Sequence, residues 1–237
     1  MTTPDHNRLT AALGLDFPLI GFYDVPDTTP FAPLVKPRGC LFEHARDWRL
    51  GYSVALSAKH IGCRGAGYWL CGVQTRTTEQ LVTFLREEEG LKDSEDTTRT
   101  WLEEQTPYTL ENNYIVVGPL RSDSYEHLRT ITFLVSPDQL AMLITGAEYR
   151  NAGTSVLTRA PFGSGCMQLA PPLEGADAVA AWISLTDVAM RRYVADGILG
   201  FTVTRPVFEQ LVSLGDDSFL DKRFWTELRE ARMQHQP

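Results

Sequence analysis

Thr130-Ile131-Thr132-Phe133-Leu134-Val135-Ser136-Pro137-Asp138-Gln139 is the most informative stretch of the sequence for the fold class. Its first six residues are β-branched, aromatic or aliphatic, a composition that predicts a buried strand. Ser136 then supplies an N-cap, Pro137 takes the first helical position and Gln139 completes a capping box. The spacing therefore predicts a strand that passes directly into a helix ending near Tyr149.

Further elements are predicted on both sides of this unit. Apolar runs and alternation predict strands over residues 17–23, 52–56, 114–120, 154–159, 183–187 and 198–203. Helical spacing and caps predict helices over residues 5–15, 41–48, 77–89, 97–105, 206–214 and 218–234. This order, without a regular βαβα repeat, predicts an α/β (or α+β) fold with a mixed β-sheet flanked by helices. The order of elements is compatible with a single domain over residues 1–237 or with two intimately packed halves, about 1–125 and 126–237.

Composition narrows the classes of partner. The formal net charge is −8, with 22 Lys and Arg against 30 Asp and Glu, and no basic run offers a stripe for phosphates. We therefore expect no nucleic-acid partner. The N-terminus lacks the pattern of a signal peptide, and no run of 18 apolar residues occurs, so we expect a cytoplasmic protein with no membrane partner.

The four cysteines are the candidate chemical centre. In a reducing compartment they are expected as thiols rather than disulfides. Cys40, Cys63 and Cys166 each lie beside glycine in a predicted loop, and the segment Gly62–Gly67 is predicted as a tight, glycine-rich loop. Glycine lets backbone N–H groups approach a thiolate, a cluster or an anion closely, so these three residues are candidate cofactor ligands.

The other signals are weaker. Cys71 lies in an apolar run, where packing is its expected role, although it could supply a fourth ligand. No zinc-ligand spacing, dinucleotide fingerprint, P-loop or G-x-S-x-G elbow occurs. Asp187 and Arg191 are spaced i, i+4, which favours a structural ion pair and leaves open a role for Arg191 in binding a substrate carboxylate.

Several segments resemble the prokaryotic family known as domain of unknown function 169. The resemblance covers most of the chain and is carried by Leu13-Gly14-Leu15, by the glycine-flanked Cys40, Cys63 and Cys166, by Ser136-Pro137-Asp138-Gln139-Leu140, by Thr186-Asp187-Val188-Ala189-Met190-Arg191, and by Phe201-Thr202-Val203 with Phe208-Glu209-Gln210-Leu211-Val212. None of these is a catalytic signature. What the resemblance implies is a cysteine-rich protein in which Cys40, Cys63 and Cys166 hold a cofactor.

The leading hypothesis is a [4Fe–4S] cluster on these three thiolates with one iron open to substrate. An open iron can act as a Lewis acid or accept sulfur, which indicates a lyase, a dehydratase or a sulfur-handling enzyme. Arg191, Arg64 or His60 would position a small anionic substrate, and Glu43 or His44 would move a proton. If Cys71 completed a four-cysteine set, electron transfer would be favoured instead.

Two alternatives stay open on sequence grounds. One is a non-catalytic small-molecule or metal-binding protein in which the cysteines hold zinc or another soft metal. The other is a cysteine nucleophile in which His60 activates Cys63. The sequence also leaves a homodimer open.

Overall fold

The computed structural model describes residues 4–153, 157–172, 175–215 and 217–234. Its centre is an eight-stranded sheet in the order β2-β3-β4-β1-β5-β8-β7-β6. The strands are β1 (Ile20–Val25), β2 (Leu34–Val35), β3 (Ser53–Leu56), β4 (Tyr114–Pro119), β5 (Leu128–Val135), β6 (Thr158–Arg159), β7 (Ala181–Ser184) and β8 (Leu199–Thr204). The two edge strands pair in parallel with their neighbours and the inner strands pair antiparallel.

Helices cover the sheet, so the predicted α/β class with a mixed sheet is confirmed. They are α1 (Asn7–Leu13), α2 (Ala45–Arg49), α3 (Arg64–Cys71), α4 (Thr78–Thr83), α5 (Glu95–Glu104), α6 (Pro137–Glu148), α7 (Arg205–Val212) and α8 (Arg223–Gln234). In the described part of the chain, none of the helices is both long and apolar enough to cross a bilayer.

The strand and helix predicted from residues 130–149 form β5 and α6. Ser136 Oγ accepts a hydrogen bond from Gln139 N at 3.3 Å, and Gln139 Oε1 accepts one from Ser136 N at 2.8 Å. Both bonds of the capping box satisfy N–H groups that the first turn of a helix leaves without a partner. The direction in which the chain leaves the central strand is thereby fixed locally.

We expect Ser136→Ala to lower the free energy of unfolding by about 1 kcal/mol, because one capping bond of α6 is lost. Urea unfolding monitored by circular dichroism measures this change. Thr100, on the exposed side of α5, provides the control, and Thr100→Ala should change the free energy of unfolding by less than about 0.5 kcal/mol. Equal effects of the two substitutions would contradict the role given to the cap.

Two clusters of buried side chains pack on opposite faces of the sheet, since neighbouring residues of a strand point to opposite sides. Along β5, Ile131, Phe133 and Val135 belong to one cluster, together with side chains from α1, α6, α7 and α8. Leu134 belongs to the other, together with side chains from α2, α3, α4 and α5. All four cysteines lie at the second cluster, on the side of the sheet that carries α3.

Several boundaries differ from the predictions. The predicted loop Gly62–Gly67 is wrong, because α3 begins at Arg64. The predicted helix over 41–48 is a 3₁₀ turn, Leu41–His44, followed by α2, and the last helix starts at Arg223 after a separate turn, Phe219–Asp221. The prediction of a strand from Thr154 falls partly on residues 154–156, which lie outside the described residues.

Candidate functional site

Cys40, Cys63 and Cys166 come from three separate segments and line one pocket of about 440 Å³, called here the thiol pocket. Cys40 precedes the 3₁₀ turn Leu41–His44, Cys63 is the N-cap of α3, and Cys166 precedes the turn Met167–Leu169. Cys40 and Cys63 are half-buried, and Cys166 is buried. The fold therefore brings together, on the face of the sheet that carries α3, the three cysteines singled out in the sequence.

Cys63 is placed to carry a negative charge. The Cys166 thiol donates a hydrogen bond to its sulfur, and the N–H groups of Ala66, Gly65 and Leu41 donate as well, with Ala66 N at 3.3 Å from Sγ. These donors outweigh partial burial and lower the pKa of Cys63 to about 6. A helix N-terminus next to a thiol stabilises its ionised form, so Cys63 is a thiolate at neutral pH.

The other two cysteines of the pocket remain protonated beside it. Donation to Cys63 is the largest cause that raises the pKa of Cys166, followed by complete burial and the charge of Cys63. Burial raises the pKa of Cys40 to about 11, and the nearby charges of Cys63 and Glu43 add to the effect. The centre is thus one thiolate flanked by two thiols, and a cation bound there would favour loss of the remaining protons.

The segment that carries Cys40 is held by side chains that follow it. Glu43 Oε1 accepts a hydrogen bond from Cys40 N at 3.0 Å. His44, which is 1% exposed, accepts from Arg38 N through Nε2 and contacts Asp47 Oδ2 through Nδ1 at 2.8 Å. His44 therefore positions the backbone ahead of Cys40, whereas the Glu43 carboxylate both positions Cys40 and lines the thiol pocket.

The segment that carries Cys166 is anchored to the chain that follows β7. Asp187 accepts from Gly165 N at 2.8 Å and from Ala189 N at 2.9 Å. Gly165 is required at this point, because a Cβ there would lie 2.8 Å from Met190 Cγ and 3.0 Å from Phe42 Cε2. These contacts fix the position of Cys166 relative to the rest of the pocket.

The buried side chain of Gln168 ties the same segment together. Its amide nitrogen donates to Pro161 O, Gly163 O and Thr186 Oγ1, and its oxygen accepts from Thr186 N at 3.1 Å. Both polar atoms of the buried amide are satisfied, as burial of a polar group requires. Gln168 thus links the loop before Cys166 to the end of β7.

Gln168→Ala should lower the free energy of unfolding by about 1–3 kcal/mol, because it leaves several buried backbone and hydroxyl groups without their partner. The substitution should also speed alkylation of Cys166 in the metal-free protein, since the loop that buries the thiol loses its tether. Urea unfolding and mass spectrometry of the alkylated protein measure the two effects. Gln74→Ala, at an exposed position, is the control and should change neither.

Leu185, between β7 and Asp187, is fully buried and adopts φ 62°, a conformation that costs a non-glycine residue about 1–3 kcal/mol. Arg191 donates from Nη1 to the carbonyls of Leu185 at 3.4 Å and Ile198 at 2.6 Å. The sequence favoured a helical i, i+4 ion pair between Asp187 and Arg191. In the structure Asp187 instead caps the 3₁₀ turn Val188–Tyr193, and Arg191 hydrogen-bonds the chain on both sides of that turn.

Part of the wall of the thiol pocket is a π-helical turn, Phe84–Glu88, which follows α4 directly. Such turns are rare and frequently occur at functional sites. Phe84, Leu85 and Glu89 line the pocket from this segment. Glu89 is exposed, yet partial desolvation of its carboxyl group and the nearby Asp187 carboxylate raise its pKa. It is therefore a second carboxyl group suited to proton exchange.

Three arginines line the pocket: Arg64, Arg76 and Arg192. The Arg76 guanidinium carbon lies 3.7 Å from the centre of the Phe84 ring, and that of Arg192 lies 4.8 Å from the centre of the Tyr193 ring. Stacking orients a guanidinium plane while its N–H groups stay available to an anion. The pocket therefore combines a thiolate centre with cations that can bind a carboxylate or phosphate.

The remaining candidates lie elsewhere. Cys71, at the C-terminal end of α3, packs against the apolar cluster, and burial raises its pKa to about 11. The His60 ring faces Ser57, with 3.5 Å between His60 Nδ1 and Ser57 Oγ. Neither Cys71, His60 nor Arg191 is among the residues that line the thiol pocket. The donors that stabilise the Cys63 thiolate are thus backbone N–H groups and Cys166.

Sequence reasoning missed several residues that line this site or support it, among them Arg192, Arg76 and Gln168. Arg192 lines the pocket although the sequence singled out its neighbour Arg191, because a 3₁₀ turn rather than an α-helix sets the direction of these side chains. Arg76 stands next to the capping box that opens α4, and Gln168 lies two residues after Cys166. The signal available in the sequence was that each of these residues lies close to a residue or motif already singled out, namely Arg191, the capping box of α4 or Cys166.

No three His, Cys, Asp or Glu side chains in the described residues are grouped so that they could hold a single metal ion. Cys63 and Cys166 are in direct contact, and Cys40 lines the same pocket from a separate segment of the chain.

Fold and site together define an α/β protein with a thiolate-centred, arginine-lined pocket. The chain belongs to the family of uncharacterised proteins described as DUF169, uncharacterised ArCR, whose model matches residues 8–213. This confirms the resemblance noted in the sequence. Comparisons with curated proteins and with solved structures gave no significant match.

Proposed function

We propose that the chain is an iron–sulfur protein that holds a [4Fe–4S] cluster through Cys40, Cys63 and Cys166 and acts on a small anionic substrate. The observation that carries the proposal is the convergence of these three cysteines, from three distant segments, on one pocket. Three cysteine ligands would leave one iron of a four-iron cluster without a protein ligand, within the pocket that Arg64, Arg76 and Arg192 also line.

The residues present suit such a group. Cluster ligands are thiolates, and Cys63 is already held in that form by backbone N–H donors of the kind that also stabilise cluster sulfur. In a cluster each cysteine ligand binds a different iron, so the ligands surround a body larger than a single ion. A zinc ion needs three or four ligands about one point, and the described residues contain no such group. We therefore propose the three thiols as cluster ligands rather than as zinc ligands.

When bound, a cluster of this type supplies a Lewis-acidic iron or a site for sulfur. The chain's own residues supply the rest. Arg76 and Arg192, oriented by their aromatic partners, bind the anionic group of the substrate, and Arg64 adds positive charge at the N-terminal end of α3. Glu43 and Glu89 line the same space and can accept or donate a proton. We infer a lyase, a dehydratase or a sulfur-transfer enzyme.

Anaerobic purification followed by iron and acid-labile sulfide analysis tests the proposal. We expect a brown protein with broad absorbance near ~400 nm and about four irons and four sulfides per chain, before or after reconstitution with iron and sulfide. Arg76→Gln and Arg192→Gln should keep this cluster content, because neither side chain is a ligand. A colourless protein that takes up no iron on anaerobic reconstitution would contradict the proposal.

One observation favours a second candidate function. The lowered pKa of Cys63 and its contact with the Cys166 thiol are the features of a cysteine nucleophile with a resolving partner. In that case Cys63 would react without bound iron. A peroxide would oxidise its thiolate by two electrons to the sulfenic acid, with release of hydroxide, and the Cys166 thiol would then displace water from that sulfur to form the Cys63–Cys166 disulfide. Mass spectrometry of the oxidised, iron-free protein would detect this disulfide, and a cluster-loaded protein would not form it.

A further inference from the structure

A second pocket of about 730 Å³ adjoins the thiol pocket and is called here the Arg129 pocket. Its walls include Arg129 at the start of β5, Arg159 on the edge strand β6 and the loop that leads to Cys166. Ser164, on that loop, lines both pockets. The two cavities thus share one wall, and a cavity of this volume is in the range of small-molecule sites.

Arg129 is a charged residue that is largely buried in the wall of this pocket. Its side chain is only 16% exposed, and one amino nitrogen donates to the Glu111 carboxylate, which is itself 64% exposed. Its Nε–H is buried and has no hydrogen-bond partner among the described residues. Burial of a charged donor without a partner is costly, so an acceptor at this point would stabilise the protein.

The rest of the pocket suits an apolar body attached to that acceptor. Trp182 is 6% exposed and its Nε1 donates to Gln168 O at 2.7 Å, which leaves the ring as an apolar surface. Phe162 and Met167 add apolar surface nearby. Arg159 provides a second cation at the wall, and its side chain makes no ion pair within the described part of the chain.

The charges present favour a singly charged anion. Glu104 and Glu111 also line the pocket. Glu111 is paired with Arg129, and the third acidic residue of the lining, Asp177, is paired with Arg205. A phosphate dianion would be repelled by these carboxylates more strongly than a carboxylate would. A planar carboxylate also matches the geometry of a guanidinium edge.

We propose that the Arg129 pocket binds a small organic carboxylate with an aromatic or other apolar body. The carboxylate is held by Arg129 and Arg159, and the body lies against Trp182. This site is separate from the thiol centre, and the proposal does not depend on a cluster.

Isothermal titration of the full chain with 2-naphthoate tests the site, with 2-naphthamide and 2-naphthyl phosphate as matched probes. We expect saturable binding of 2-naphthoate, weaker binding of the phosphate and no saturable binding of the neutral amide. Arg129→Lys, which keeps the charge and loses the planar fork, should weaken 2-naphthoate binding about tenfold or more. Arg159→Gln, at an exposed position, should weaken it several-fold without affecting folding.

Three controls make the result specific. Arg223→Gln, at an exposed arginine of α8, and Cys63→Ser should leave the affinity for 2-naphthoate unchanged. Quenching of tryptophan fluorescence by 2-naphthoate should disappear in Trp182→Phe. Three results would overturn the proposal. They are the absence of saturable 2-naphthoate binding up to roughly 10 mM, an affinity for 2-naphthoate in Arg129→Lys and Arg159→Gln equal to that of the unsubstituted protein, or tighter binding of 2-naphthyl phosphate than of 2-naphthoate.

Discussion

The Cys63→Ser variant, purified and reconstituted anaerobically, should contain less than about a tenth of the iron of the unsubstituted protein. Cys63 is the one thiolate of the thiol pocket, and three backbone N–H groups and the Cys166 thiol are directed at its sulfur. A serine hydroxyl keeps the shape and the capping bond to Ala66 N, yet it does not ionise at neutral pH. Iron and sulfide analysis with a visible spectrum measures the loss.

Cys71→Ser is the matched control, because Cys71 is on the same helix, is half-buried and does not line the thiol pocket. It should retain the full iron content. Cys40→Ser and Cys166→Ser should lose iron as Cys63→Ser does. Retention of iron in Cys63→Ser, or its loss in Cys71→Ser, would mean that the ligands have been assigned wrongly.

The second large effect concerns thiol reactivity in the reduced, metal-free protein. At pH 7 a thiol with a pKa of about 6 is about nine tenths ionised, whereas one with a pKa of about 11 is ionised about once in ten thousand molecules. The lower intrinsic nucleophilicity of the more acidic thiolate offsets part of this ratio. Cys63 should therefore react with iodoacetamide roughly thirty to a hundred times faster than Cys71.

The pH profile gives the sign of the effect. The pKa of Cys63 is lowered, so its thiolate persists as the pH falls and is lost only through the region around pH 6. Its alkylation rate should be half-maximal there and level above it, whereas the rates of Cys40 and Cys71 should still rise above pH 9. Peptide mapping by mass spectrometry follows each cysteine. A Cys63 profile centred near the ordinary value of about 8.5 would contradict the proposed environment.

The parts of the fold that local chemistry controls could be predicted from the sequence. The Ser136 capping box and the apolar run before it became α6 and β5, and the junction between them is where the sequence predicted it, although β5 begins at Leu128 rather than Thr130. The segment around Cys63 could not be predicted in this way. Gly65 and Gly67 each weaken a helix by about 1 kcal/mol, which favours a loop. Burial of Trp69 and Leu70 against the sheet outweighs that cost, and a helix forms.

The same limit applies to the candidate site. The residue types indicated that Cys40, Cys63 and Cys166 could carry chemistry, but separations of 23 and 103 residues along the chain neither require nor forbid contact. Only the order of strands and the packing of α3 bring them to one pocket. The thiolate character of Cys63 comes first from the Cys166 thiol, which tertiary packing brings to it, and then from backbone N–H groups that include those at the start of α3. Glycine content alone indicated neither the Cys166 contact nor the helix.

The most direct test of the three-thiol centre is a crystal structure of the anaerobically purified protein, with anomalous scattering measured at the iron absorption edge. The account predicts an iron signal bounded by the sulfurs of Cys40, Cys63 and Cys166, within the pocket that Arg76 and Arg192 line. A structure from iron-reconstituted protein with no iron at this position, or with iron bound by other residues, would contradict it.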